Sequence, residues 1–212
     1  IERIIIPLLP LHIFGIFLNL TYTGEAWSVM RALMRVVVVV LVLEVVILGV
    51  QYVVAGFIGG KNPVRAVVTM RPAYLTALGT SSSAATIPVT YDCAKRNNVA
   101  PSVAGFTVPL CATTHLAGSM LKIGLFAFAI TYMADIELTP GKAIGFIFML
   151  GFTNDQVGLM IAAYIAIDSF GTACNVTGDG AIALVVNKLA KGQISRAELV
   201  DVQSSRDDII EE

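Results

Sequence analysis

The residues Asp168-Ser-Phe-Gly-Thr-Ala-Cys-Asn-Val-Thr-Gly-Asp179 set two carboxylates, an amide and two threonines into an otherwise apolar stretch. Carboxylate, amide and carbonyl oxygens are what a hard cation requires. Asp168, Thr172, Asn175 and Asp179 follow one another at helical spacing, which stacks them on one face. Gly171, Gly178 and Gly180 read as points where that helix loosens. An acid inside a membrane segment costs a few kcal/mol, so it is usually paired and often functional. The competing reading is a polar seam that joins helices.

Two further clusters carry polar chemistry. Thr80-Ser-Ser-Ser83 lies between two apolar arms of about 10 residues, each roughly half a bilayer at 1.5 Å per residue. That pattern predicts a re-entrant hairpin over 74–93. A helix starting after its tip points a positive dipole end there, suited to a carboxylate. The alternative is an ordinary serine-rich loop. Cys111-Ala-Thr-Thr-His-Leu-Ala-Gly-Ser119 interrupts a long apolar run, and Gly118 with its hydroxyl neighbours suggests an unwound turn. His115 either relays protons or makes an interhelical hydrogen bond. Lys122 follows Ser119 by three residues and is costly in lipid unless paired or snorkelling.

The elements that must hold these residues are membrane helices. The chain has 212 residues, 56% of them apolar and 14% charged, with a mean hydropathy of +0.80. Soluble domains carry about 25% charge, and no core of this size absorbs the surplus apolar surface. The net charge of −1 gives no basic field for nucleic acid. Cys93, Cys111 and Cys174 have neither disulfide nor zinc spacing. Spans are expected at 4–22, 37–57 and 103–133, with a further one from Val157 that loosens across the glycines. His12 and Glu44 read as bundle-facing polar groups. Residues 143–152 form one apolar arm with no returning partner, which predicts a break or missing segment near 150–155. Ten of the fourteen basic residues fall on one side and three on the other, with Lys122 inside a span, placing the C-terminal tail in the cytoplasm.

The serine tip followed by Ile87-Pro-Val-Thr90, the broken middle span and Asn175-Val-Thr-Gly-Asp179 together resemble the dicarboxylate/amino acid:cation symporter family. The resemblance runs from about Ile1 to Ala190. It implies an all-α membrane protein of transmembrane helices plus a re-entrant helical hairpin, a homotrimer in the plasma (inner) membrane, and no enzymatic activity. It also implies three regions. Residues 1–57 correspond to family helices five and six. Residues 58–190 correspond to a transport core with hairpin one, helix seven, part of hairpin two and helix eight. Residues 191–212 form a polar tail. By resemblance, Ser82 and Ser83 hold the substrate's main carboxylate and Asp168 takes its amino group. Thr172 and Asn175 are further substrate contacts; Ser119, read from its hydroxyl alone, is a candidate to hydrogen-bond a substrate hydroxyl. Asp179, with backbone at Cys111 and Asn175, holds sodium.

The departures from the family pattern narrow the expectation. Gly171 stands where members taking acidic substrates carry arginine, and no arginine occurs between Arg96 and Arg196. A side-chain carboxylate then has no guanidinium to grip it bidentately. The expected substrate is a small neutral amino acid. The family's Asn-Met-Asp-Gly-Thr reads His115-Leu-Ala-Gly-Ser119, so one cation site loses its aspartate at Ala117. Sodium or protons remain open as the coupling ion, with His115 and Lys122 as candidates for the proton; no other cofactor is expected. Two alternatives stand beside a symporter. One is a non-transporting, degenerate or truncated relative. The other is an intramembrane hydrolase using Ser119 or Ser83 with His115 or Lys122.

Overall fold

The computed structural model describes residues 5–24, 26–133, 165 and 167–191. Every regular element among them is helical: α1 (Ile5–Tyr22), α2 (Ala26–Gly59), α3 (Pro63–Thr69), α4 (Arg71–Thr80), α5 (Ser83–Arg96), α6 (Pro101–Thr114), α7 (Ala117–Met133) and α8 (Asp168–Leu189). The expected arm at 143–152, the break near 150–155 and the tail from Gly192 lie outside the described residues, as does the side chain of His12.

Among the described residues, two stretches are long and apolar enough to cross a membrane, Ala26–Gly59 and Pro101–Ala129, by length and composition. α2 runs longer than the 37–57 span read from hydropathy, and it takes Arg31 and Arg35 into the helix rather than a loop. Leu, Met, Ala, Val and Arg carry its first turns at low propensity cost. Val42, Val45, Val46 and Val53 project outward from it. Such a wall is unfavourable in water and natural against lipid or neighbouring helices.

The chain divides into two compact units. The first takes Ile1–Val40 and Lys122–Ile167, the second Leu41–Leu121 and Asp168–Glu212. In the first, Ile16, Val29, Phe126 and Ala127 are buried, and so are Lys122 and Thr131.

The second unit carries the candidate site. At the start of α3, Asn62 accepts hydrogen bonds from the N–H groups of Val64 and Arg65, and Pro63 opens the first turn. α4 and α5 pack against one another, and both pack against α8. Their shared interior is built from small residues, Ala73, Ala77, Ala94, Ala104, Ala173 and Ala183, around Met70, Val99 and Val108. Small side chains let the helix backbones approach closely. Asn187 then ties the α5–α6 connection to α8: it accepts from Ala100 N at 2.9 Å and donates to Asn98 O at 3.2 Å.

Candidate functional site

The hairpin tip forms where the sequence places it. Ser81 closes α4 in a left-handed conformation at φ 49°, unusual for a residue with a Cβ. Ser82 is extended and caps α5, its hydroxyl accepting from Ala85 N at 3.2 Å. Thr86 donates to Ser82 O at 2.8 Å, and Thr80 Oγ1 accepts from Ser82 N at 3.3 Å. The hydroxyls therefore fix the reversal of the chain. The N–H groups of Ser83 and Ala84 are among those that a helix start leaves without internal partners.

The break in the long apolar run falls at His115-Leu116, between α6 and α7. The expected unwound turn at Gly118 is not found, because Gly118 is helical and serves close packing. A Cβ there would lie 2.7 Å from both Cys174 Cβ and Gly171 O. The expected loosening of α8 is likewise corrected. Asp168–Leu189 is one uninterrupted helix, and its glycines admit neighbours. A Cβ on Gly178 would meet His115 Cε1 at 2.5 Å and Gln51 Oε1 at 2.6 Å; one on Gly180 would meet Met70 and the Tyr52 hydroxyl.

Asn175, buried on α8, caps α7 from another helix. Its Oδ1 accepts from Gly118 N at 2.8 Å and Ser119 N at 3.3 Å, and its Nδ2 donates to Ser119 Oγ at 2.8 Å. A helix start broken inside apolar surroundings has orphan N–H groups that must find acceptors. Asn175 supplies one, so its amide holds the broken helix as well as facing the site.

His115 lies at the C-terminal cap of α6, its N–H donating to Cys111 O at 2.8 Å. Its Nδ1 lies 2.9 Å from Asp179 Oδ1, and Gln51 Nε2 lies 3.1 Å from its Nε2. An ionised carboxylate only accepts, so Nδ1–H donates to Asp179, while the Gln51 side-chain amide engages Nε2. Asp179 is 1% exposed. Both ring nitrogens are thus engaged, and neither is left to activate a serine as the hydrolase reading needs. Tyr52, one residue after Gln51, donates to Thr177 O at 2.8 Å.

The structure therefore brings Cys111, His115, Ser119, Asn175 and Asp179 together. Asp168 opens α8, where the helix dipole favours a carboxylate, and Thr172 donates to its carbonyl at 3.1 Å. Ser82 and Ser83 stand on a hairpin packed against α8. Lys122 is fully buried and belongs to the first unit. Gln51 and Tyr52 are the site residues that sequence reasoning missed. The signal for Gln51 was an amide within an apolar run, read only as an interruption of the 37–57 span; Tyr52 gave none.

Excitatory amino acid transporter 3 of Oryctolagus cuniculus is 31% identical over 234 aligned residues, 96% of this chain and 44% of the relative. The protein of the same name from Homo sapiens matches at the same identity and coverage. Excitatory amino acid transporter 5 of Homo sapiens is 31% identical over 66% of this chain. The chain spans less than half the length of these curated relatives. The family described as Sodium:dicarboxylate symporter family matches residues 1–154 and 149–189, two pieces that overlap at 149–154. With those matches covering most of its length, the chain belongs to the sodium:dicarboxylate symporter family.

Proposed function

We propose that the protein containing this chain is a membrane symporter that moves a small neutral amino acid together with a cation, sodium or a proton. The observation that carries the substrate class is Gly171 on α8, with no arginine from Asn97 to Ser195. Asp168 offers a carboxylate to a substrate ammonium, a charge-assisted bond worth about 1.5–3 kcal/mol. The Ser82–Ser83 tip, with the start of α5, offers donors to the substrate's main carboxylate. Thr172 and the Ser119 hydroxyl supply further polar contact. An acidic side chain would bring a second carboxylate into the cavity without a partner, at a desolvation cost of several kcal/mol. Asp179, with carbonyls at Cys111 and Asn175, is the cation-facing group, and His115 and Lys122 are the groups through which a proton could take sodium's part. The remaining expectations follow from the family: a hairpin entering the bilayer from one side, a homotrimer in the plasma membrane, and a cytoplasmic C-terminus.

The test is uptake into proteoliposomes by the full-length protein under an imposed sodium or proton gradient. Serine or alanine is expected to be concentrated and aspartate is not. Gly171→Arg is expected to shift preference toward aspartate. Robust aspartate uptake by the unaltered protein overturns the neutral-substrate reading. One observation favours a second reading, a non-transporting relative: the alignment to the rabbit protein covers 234 residues, more than the 212 of this chain, so that relative has residues with no counterpart here. Binding without uptake of any amino acid would support it.

A further inference from the structure

We infer that His115 is a built-in substitute for a metal cation at Asp179, and that it sets the sodium affinity of this site. The inference rests on the symporter reading only for the relevance of sodium; the geometry stands alone. A carboxylate buried as completely as Asp179 needs a partner, and two kinds are available: a bound cation or a donor from the protein. Here the donor is the His115 ring, whose Nδ1 lies 2.9 Å from Oδ1. An N–H aimed at an oxygen takes the direction from which a hard cation would approach it.

The ring does not reach Asp179 by accident of rotamer. Gln51, from α2, holds the far nitrogen at 3.1 Å. Gly178, next to Asp179 on α8, leaves the space in which the ring and the amide lie; a Cβ would fall 2.5 Å from His115 Cε1. The chain break at His115-Leu116 lets the side chain leave the α6 axis, with His115 extended at φ −94°, ψ 96°. Three separate elements thus converge to hold one imidazole on one carboxylate. Sodium would need that ring displaced before it used Oδ1, so His115 acts as a specificity-determining residue by competition.

The experiment measures the melting temperature of the full-length protein in detergent as sodium chloride replaces choline chloride. The variants are His115→Ala, His115→Asn, Asp179→Asn and the Ala/Asn double variant. Removing the competing ring is expected to lower the half-saturating sodium concentration about tenfold or more, the exchange of one charge-assisted hydrogen bond. Adding Asp179→Asn to His115→Ala is expected to abolish that gain. Asp179→Asn alone is expected to weaken the sodium response, because it removes the charge for which ring and cation compete. Gln51→Leu, which keeps both the imidazole and the carboxylate, is expected to shift the response in the same direction as His115→Ala by a smaller factor. An unchanged sodium response in both folded His115 variants overturns the proposal. So does a gain from His115→Ala that persists in the Ala/Asn double variant. The readout needs no transport, so failure of the symporter reading, seen as absent uptake, is distinguishable from failure here.

Discussion

Replacing Gly118 by alanine tests whether glycine serves packing or flexibility at the broken helix. In an exposed helix the change stabilises by about 0.8–1.0 kcal/mol. Here the new Cβ would fall 2.7 Å from Cys174 Cβ and from Gly171 O, and 3.2 Å from Cys174 Sγ. Carbon atoms rest about 3.5–4.0 Å apart, so α7 and α8 must separate locally by nearly an ångström. The obstructing atoms are a main-chain oxygen and a Cβ, neither of which has a rotamer to escape into. Overpacking of this kind costs about 1–3 kcal/mol. The separation also stretches the bond from Gly118 N to Asn175 Oδ1, now 2.8 Å, and the weaker one from Ser119 N at 3.3 Å. Loss of a helix cap adds about 0.5–2 kcal/mol.

Set against the propensity gain, the net effect is a destabilisation of roughly 0.5–4 kcal/mol. Thermal unfolding of the full-length protein in detergent measures it, with Gly49→Ala as the control, since a Cβ on Gly49 meets nothing within 4 Å. A Gly118→Ala protein that melts at or above the unaltered temperature would refute the packing account and restore the flexible-turn reading.

Gly178→Ala is expected to differ in kind, because its Cβ meets the movable ends of His115 and Gln51 rather than main chain. The fold is expected to persist while the sodium-dependent melting shift changes in the same direction as in His115→Ala. Tyr52→Phe removes a buried hydrogen bond to Thr177 O and is expected to cost about 1 kcal/mol, read as a lower melting temperature at saturating sodium; an unchanged melting temperature would show that this bond adds nothing.

The helices and the reversal of the chain at the serine tip were legible because their signals are local. Apolar length marks a membrane helix, and a Gly/Ser tip between two half-length arms marks a reversal, found at Ser81–Ser82 between α4 and α5. The glycines were not legible in the same way. In Gly171-Thr-Ala-Cys-Asn-Val-Thr-Gly-Asp-Gly180 their low helix propensity argues for loosening, yet α8 is continuous across them. Propensity is a property of one residue, while the reason for Gly178 lies in His115 and Gln51, which come from other parts of the chain. A neighbour brought in by tertiary packing leaves no trace in the local pattern.

The same asymmetry explains the site. Asp179 and Asn175 stand out because acids and amides are conspicuous in apolar sequence, and His115 stands out for the same reason. What the sequence does not display is who partners whom. His115 has two ring nitrogens, and either a proton-relay or a simple interhelical bond fits its position in the chain. Gln51 engages one ring nitrogen, and the other meets Asp179. Gln51 itself reads in sequence as a flaw in a good membrane span. Inside a bilayer such a flaw is costly enough that it calls for a partner, so each polar interruption of an apolar run is better read as half of a contact whose other half lies elsewhere.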